Sequence, residues 1–77
     1  MNATILKILT QIRPEIDYTQ DINFIEHELL DSLDIIRLVA ELDKTYNISI
    51  NGADIIPENF ESITTIKNLI IKNGGNE

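Results

Sequence analysis

Apolar residues in this chain recur at helical spacing in three separate stretches. Ile5, Ile8, Leu9 and Ile12 stand at i, i+3, i+4 and i+7, which predicts an amphipathic helix over residues 3–13. Pro14 closes it, because proline lacks the N–H that would continue the ladder and pushes the residue before it out of the helical region. Ile35, Leu38, Val39, Leu42 and Tyr46 repeat the spacing and predict a helix over residues 32–46. Leu33 and Ile36 widen its apolar stripe, while Asp34, Arg37, Glu41 and Lys44 fall on the other side. Asp31 is placed to cap its first turn, and Asp34 adds negative charge at the positive end of the helix dipole. Ile63, Ile66, Leu69 and Ile70 predict a third helix over residues 63–72, capped by Ser62 and ended by Gly74 and Gly75. The tail, residues 73–77, is expected to fray.

Between these stretches the periodicity fails. Residues 14–31 carry Ile16, Tyr18, Ile22, Phe24, Ile25 and Leu29 without a period, which reads as a long loop that packs its large side chains on the core. The alternation Asn47-Ile48-Ser49-Ile50 resembles a strand in isolation, but no partner strand exists elsewhere in the chain. Asn51-Gly52 marks a turn, and Pro57 limits the following stretch to a short helical segment at about residues 54–60. The expected fold is therefore an all-α single domain over residues 1–77: a four-helix bundle of three principal helices and one short one, with a long loop between the first two.

Composition narrows the chemistry. With 77 residues, one core is all the chain can bury, and with no cysteine and one histidine neither disulfides nor a structural zinc site can hold it together. A net charge of −7 disfavours a phosphate backbone as partner and favours basic proteins, so no nucleic acid is expected. The same self-repulsion predicts that divalent cations or lower pH raise the melting temperature. No apolar run is long enough to span a bilayer and the first residues lack a basic, small-residue-cleaved leader, so a cytoplasmic monomer without membrane insertion is expected.

The stretch Leu29-Leu30-Asp31-Ser32-Leu33-Asp34-Ile35 puts one small hydroxyl at the start of the strongest helix. A serine there projects past the helix end, within reach of a modifying enzyme, and the free N–H groups favour a phosphate on it. Asp-Ser is also among the commonest helix caps, so the dipeptide alone does not separate a modification site from a structural cap. Its surroundings do. Leu30-Asp31-Ser32-Leu33-Asp34 leading into Ile35-Ile36-Arg37-Leu38-Val39-Ala40-Glu41-Leu42, followed by Tyr46-Asn47-Ile48 and by Phe60-Glu61-Ser62-Ile63, resembles the acyl carrier and peptidyl carrier protein family over most of the chain.

The resemblance implies that Ser32 carries 4′-phosphopantetheine as a phosphodiester and that the arm's thiol holds cargo as a thioester. It implies a carrier and not an enzyme, acting by keeping tethered cargo at high effective concentration near successive active sites. Asp31 would help the phosphopantetheinyl transferase engage its metal and cofactor at the serine, and Leu33 would anchor the motif near the arm. Further partners implied are an acyl- or aminoacyl-loading ligase and a downstream acyltransferase or synthase. Asp34, Arg37, Glu41 and Asp43 are the candidate partner-binding residues, the acids among them offering charge to basic enzyme surfaces. Fatty-acid carriers usually have an acid where this chain has Arg37, an apolar residue at Glu41, an acid at Lys44 and a glycine at Leu29. These departures, with Pro57-Glu58-Asn59-Phe60, look more like free-standing D-alanyl or peptidyl carriers, or carriers dedicated to one biosynthetic cluster. The abundant isoleucines could line an acyl cleft between helices or pack solidly. Two other readings stand beside the carrier: a helical interaction module with an unmodified serine, and a hydrolase using Ser32 with His27 and Asp31 or Asp34. One loop histidine in so short a chain gives the hydrolase little support.

Overall fold

The computed structural model describes residues 2–20 and 22–76; residue 21 of the long loop and residue 77 of the tail lie outside the described residues. Helix α1 spans Asn2–Ile12, α2 spans Ser32–Tyr46 and α3 spans Ile63–Lys72. α1 packs against both α2 and α3. The interior is filled by Ile5 and Leu9 from α1, Leu38 and Leu42 from α2, Ile66 and Ile70 from α3, and Phe60, all fully buried. Close packing of that kind is the main stabilising contribution in a chain without covalent crosslinks. Ile5, Ile8, Ile50, Ile66 and Ile70 are packed in this core.

Local hydrogen bonding explains where each helix starts and stops. Asp31 caps α2 by accepting from the Asp34 N–H at 2.9 Å, and Asp34 returns the contact by accepting from the Asp31 N–H at 3.1 Å. Ser62 and Thr65 form the same reciprocal arrangement at α3. α2 ends where Asn47 takes the left-handed conformation, its N–H and that of Ile48 both turning back to the Asp43 carbonyl. The α1 ladder runs one residue past the helix, Arg13 N–H still reaching Leu9 O at 2.8 Å.

One expectation changes. The single short helix becomes two 3₁₀ turns, Gly52–Asp54 and Pro57–Phe60. Pro57 forces Ile56 into an extended conformation, so the first turn cannot continue through Ile55 and Ile56 into the second. The start of the tail makes hydrogen bonds back to the fold. Gly74, at positive φ, and Gly75 donate to Ile71 O and Ile70 O, closing α3, while Asn73 Oδ1 accepts from the Asn51 N–H. Gly75 is buried against Ile70, at a place where a Cβ would come within 2.2 Å of Ile70 Cγ2.

The strand-like segment after α2 is not paired with another strand among the described residues. Its Ile50 N–H goes instead to the Asp43 side chain at 3.0 Å, and Ile50 enters the core. The long loop is pinned to the same core. Phe24 is buried and meets Tyr18 edge to face at 5.8 Å, its N–H donates to Glu61 O, and Tyr18 Oη contacts the Leu9 and Arg13 carbonyls. Leu30 ends the loop in the core, which fixes the chain one residue before Asp31.

Candidate functional site

Leu30 is buried, Asp31 caps the helix, and Ser32 is therefore held as the first residue of α2, exposed, at a fixed point on the surface. Its hydroxyl has no hydrogen-bond partner among the described residues, and the N–H groups of Ser32 and Leu33 make no bond to them either. An attached phosphate would meet those two donors and the positive end of α2. Clefts of about 460 and 210 Å³ flank the serine. The larger is lined by Ile25, Glu28, Leu30, Asp31, Ile35 and Pro57. The smaller is walled by Ile35, Ile36, Ile55, Ile56 and Pro57 and is almost wholly apolar. Apolar surface therefore lies on both sides of Ser32.

The geometry behind the serine rests on Arg13. Its guanidinium reaches from the end of α1 to Asp34 Oδ2 through Nε and Nη2, both at 2.7 Å, and to Asp31 Oδ2 at 3.4 Å. One cation thus ties together the carboxylates on both sides of Ser32. Burial alone would push the Asp34 carboxyl upward, but the hydrogen bonds from Arg13 and from the Asp31 N–H outweigh it and hold the group below the ordinary value of 3.8. Arg13 is raised in turn, chiefly by its hydrogen bond to Asp34.

The structure sorts the candidate residues differently from the sequence. Asp34 is 3% exposed and cannot face a partner. It stands four residues before Leu38 and eight before Leu42, so it shares their inward face, a spacing that was available in the sequence. Asp43 is half-buried and occupied by the Ile50 N–H. Arg37 and Glu41 are exposed. Leu33 and Ile36, read as widening the buried stripe, are 55% and 62% exposed. Their positions lie opposite Leu38 and Leu42 around the helix, beyond the arc that α1 and the core can cover. His27 is exposed, and its ring makes no hydrogen bond with Asp31, Ser32 or Asp34; with Asp34 committed to Arg13, no base–acid pair stands at the serine. Sequence reasoning missed Arg13, whose signal was a lone cation at the end of a helix facing two acids, and Ile55 and Ile56, whose exposure no periodicity reveals.

Ser32 is thus a capped, surface-held serine on a small acidic helical fold. The family model described as phosphopantetheine attachment site matches residues 3–71. The chain is also similar to an acyl carrier protein of Onion yellows phytoplasma (strain OY-M), with 42% identity over 55 residues that cover 71% of this chain and 70% of that protein. No solved structure gives a significant match. The chain belongs to the phosphopantetheine-attachment family, and is a non-catalytic carrier protein with a site for that prosthetic group. No helix among the described residues is long and apolar enough to cross a membrane.

Proposed function

We propose that Ser32 is the attachment point of 4′-phosphopantetheine and that the chain presents an acyl or aminoacyl group to the enzymes of a dedicated biosynthetic pathway. The observation that carries this reading is the exposure of the Ser32 hydroxyl, unpartnered among the described residues, at the first position of α2. The chain has three serines, and the other two suit the role less well. Ser62 is half-buried and its hydroxyl caps α3 by accepting from the Thr65 N–H at 3.1 Å. Ser49 is exposed but sits in the irregular segment after α2, with no helix end to receive a phosphate.

When attached, the arm would supply a thiol that holds cargo as a thioester. The protein's own residues do the rest. Asp31 fixes the first turn and keeps its Oδ2 towards the surface beside the serine, where a transferase can reach it. Arg13 neutralises the buried Asp34 and holds Asp31 only at 3.4 Å, so the exposed carboxylate beside the hydroxyl is that of Asp31. The absence of cysteine leaves no side-chain thiol to take cargo by exchange. The partners this reading requires are a phosphopantetheinyl transferase, a loading ligase and a downstream acyltransferase or synthase, and the place is the cytoplasm. The acyl cargo is supported by the name of the phytoplasma relative and the aminoacyl alternative by Arg37 and Lys44, where fatty-acid carriers have acids.

Intact mass tests the reading. Incubated with coenzyme A and a phosphopantetheinyl transferase, the wild-type chain gains one phosphopantetheinyl group and Ser32→Ala gains none. A wild-type chain left unmodified by several transferases would make it a helical interaction module instead.

A further inference from the structure

Two asparagines of the chain stand immediately before glycine, Asn51 and Asn73. An asparagine so placed can react with its own backbone. The glycine amide nitrogen loses its proton to base and attacks the side-chain Cγ; the bond from Cγ to Nδ2 breaks, and ammonia leaves with a proton taken from water. The product is a succinimide ring. Water then adds to one or the other ring carbonyl and opens it, leaving aspartate or isoaspartate where asparagine stood. Glycine favours the reaction because it puts no Cβ in the path of the attacking nitrogen.

The two sites touch, Asn51 N–H donating to Asn73 Oδ1 at 3.0 Å, yet their settings are opposite. At Asn73 the reacting atoms are engaged. Nδ2 donates to Leu69 O at 2.9 Å, Oδ1 accepts from Asn51, and the nucleophile, Gly74 N–H, donates to Ile71 O at 3.1 Å beside the buried Gly75. At Asn51 the nucleophile is free. Gly52 N–H has no partner among the described residues, and neither has Asn51 Nδ2, the leaving nitrogen. Both residues are exposed, and a Cβ on Gly52 would meet nothing within 4 Å, so the peptide between them has room to turn. Turning it about the Asn51 ψ of 130° gives up two contacts, Ala53 N–H to Asn51 Oδ1 at 3.0 Å and Asp54 N–H to Asn51 O at 2.8 Å.

We infer that Asn51 is a site of spontaneous succinimide formation in the folded chain and that Asn73 is protected from it. The two end products act differently on the fold. Aspartate keeps the main chain and an oxygen for the Ala53 N–H. Isoaspartate routes the main chain through the former side chain, which lengthens it by one carbon before Gly52 and breaks the turn that Asn51 O closes with the Asp54 N–H. Asp54 anchors this corner: its carboxylate holds Lys72 at 2.7 Å and its carbonyl accepts from Asn59 Nδ2 at 2.7 Å. The residues that follow, Ile55 and Ile56, wall the smaller cleft at Ser32. Isoaspartate at position 51 therefore loosens the segment that borders the serine.

The test incubates the full-length protein, folded, in mildly alkaline buffer and follows each asparagine by peptide mapping with mass detection. Protein isoaspartyl methyltransferase with S-adenosylmethionine reports the isoaspartate formed. Asn51 should convert about tenfold faster than Asn73, since each hydrogen bond that must open first lowers the reactive population by about two- to tenfold. In guanidinium chloride, with those bonds gone, the two rates should come within about twofold of each other. The rate at Asn51 should rise with pH, as loss of the Gly52 amide proton requires. Gly52→Ala, at a negative φ with open space for the Cβ, should stay folded and slow Asn51 about tenfold. Protein carrying isoaspartate should melt below fresh protein, and Asn51→Asp should melt close to it. Asn73 converting as fast as Asn51 in the folded chain would overturn the inference, as would an Asn51 that converts only when the chain is unfolded. Neither result would touch the assignment of Ser32.

Discussion

Replacing Asp34 by alanine removes the residue on which the serine's setting depends most. Its Oδ2 receives Arg13 Nε and Nη2 at 2.7 Å and the Asp31 N–H at 3.1 Å, and the side chain is nearly inaccessible to water. A hydrogen bond to a charged group nets about 1.5–3 kcal/mol. Losing half of a capping arrangement costs about 1 kcal/mol. Arg13 is partly exposed and can turn back to solvent, so no buried orphan cation is left and the contributions add to less than their sum, about 2–3 kcal/mol. A domain of this length holds about 4–12 kcal/mol in total. The melting temperature should therefore fall by about 10–20 °C. Urea denaturation at pH 7 measures the change, with an unaltered slope showing that the folded state keeps its compactness. Asp34→Asn, which can still accept from the Asp31 N–H but has no charge for Arg13, should lose about half as much. Arg13→Gln should destabilise in the same direction and not additively with Asp34→Ala. A loss below about 0.5 kcal/mol in Asp34→Ala would show that solvent screens the contact and that Arg13 does not hold the serine's turn.

Burial, with the charges of Glu15 and Asp34 behind it, pushes the Tyr18 phenol up to about 12, so its contribution is complete below about pH 10 and lost as pH climbs towards 12; alkaline melting should show this loss, and Tyr18→Phe should not. On the acid side, Asp34, Asp54 and Asp17 all sit below 3.8, held by Arg13, by Lys72 and by Thr19 respectively. Their contribution is complete above about pH 4 and lost below it, whereas relief of the −7 charge acts at milder acidity, so the melting temperature should rise from pH 7 towards 5 and then fall. Gly75→Ala should destabilise by about 1–3 kcal/mol in urea denaturation, because the new Cβ runs into Ile70 beneath the closed end of α3. Tyr46 Oη is buried without a partner among the described residues, so Tyr46→Phe should raise the melting temperature.

Helix positions were readable in the sequence because packing and local chemistry agree. The spacing of Leu38 and Leu42 and the cap at Asp31 both point to the same α2. The motif Asp31-Ser32-Leu33 was readable for the same reason, since a helix start is a local event. Which side chains of α2 face water was not, because that depends on how much of the helix α1 and the loop can cover. Leu33 and Ile36 fit the apolar pattern yet stay outside, and Asp34 fits the polar pattern yet lies inside, where Arg13, 21 residues away, makes burial tolerable. Long-range pairs of that kind leave no period in a sequence. The two 3₁₀ turns and the exposed Ile55 and Ile56 arise from Pro57 and from where the core ends, and only coordinates join those two causes.

Fragmentation of the modified chain, locating the added mass among Ser32, Ser49 and Ser62, tests the central claim most directly. Fragments ending before residue 32 should be unmodified and those that include it should carry the whole phosphopantetheinyl group. The group found on Ser49 or Ser62, or divided among the three, would contradict the account.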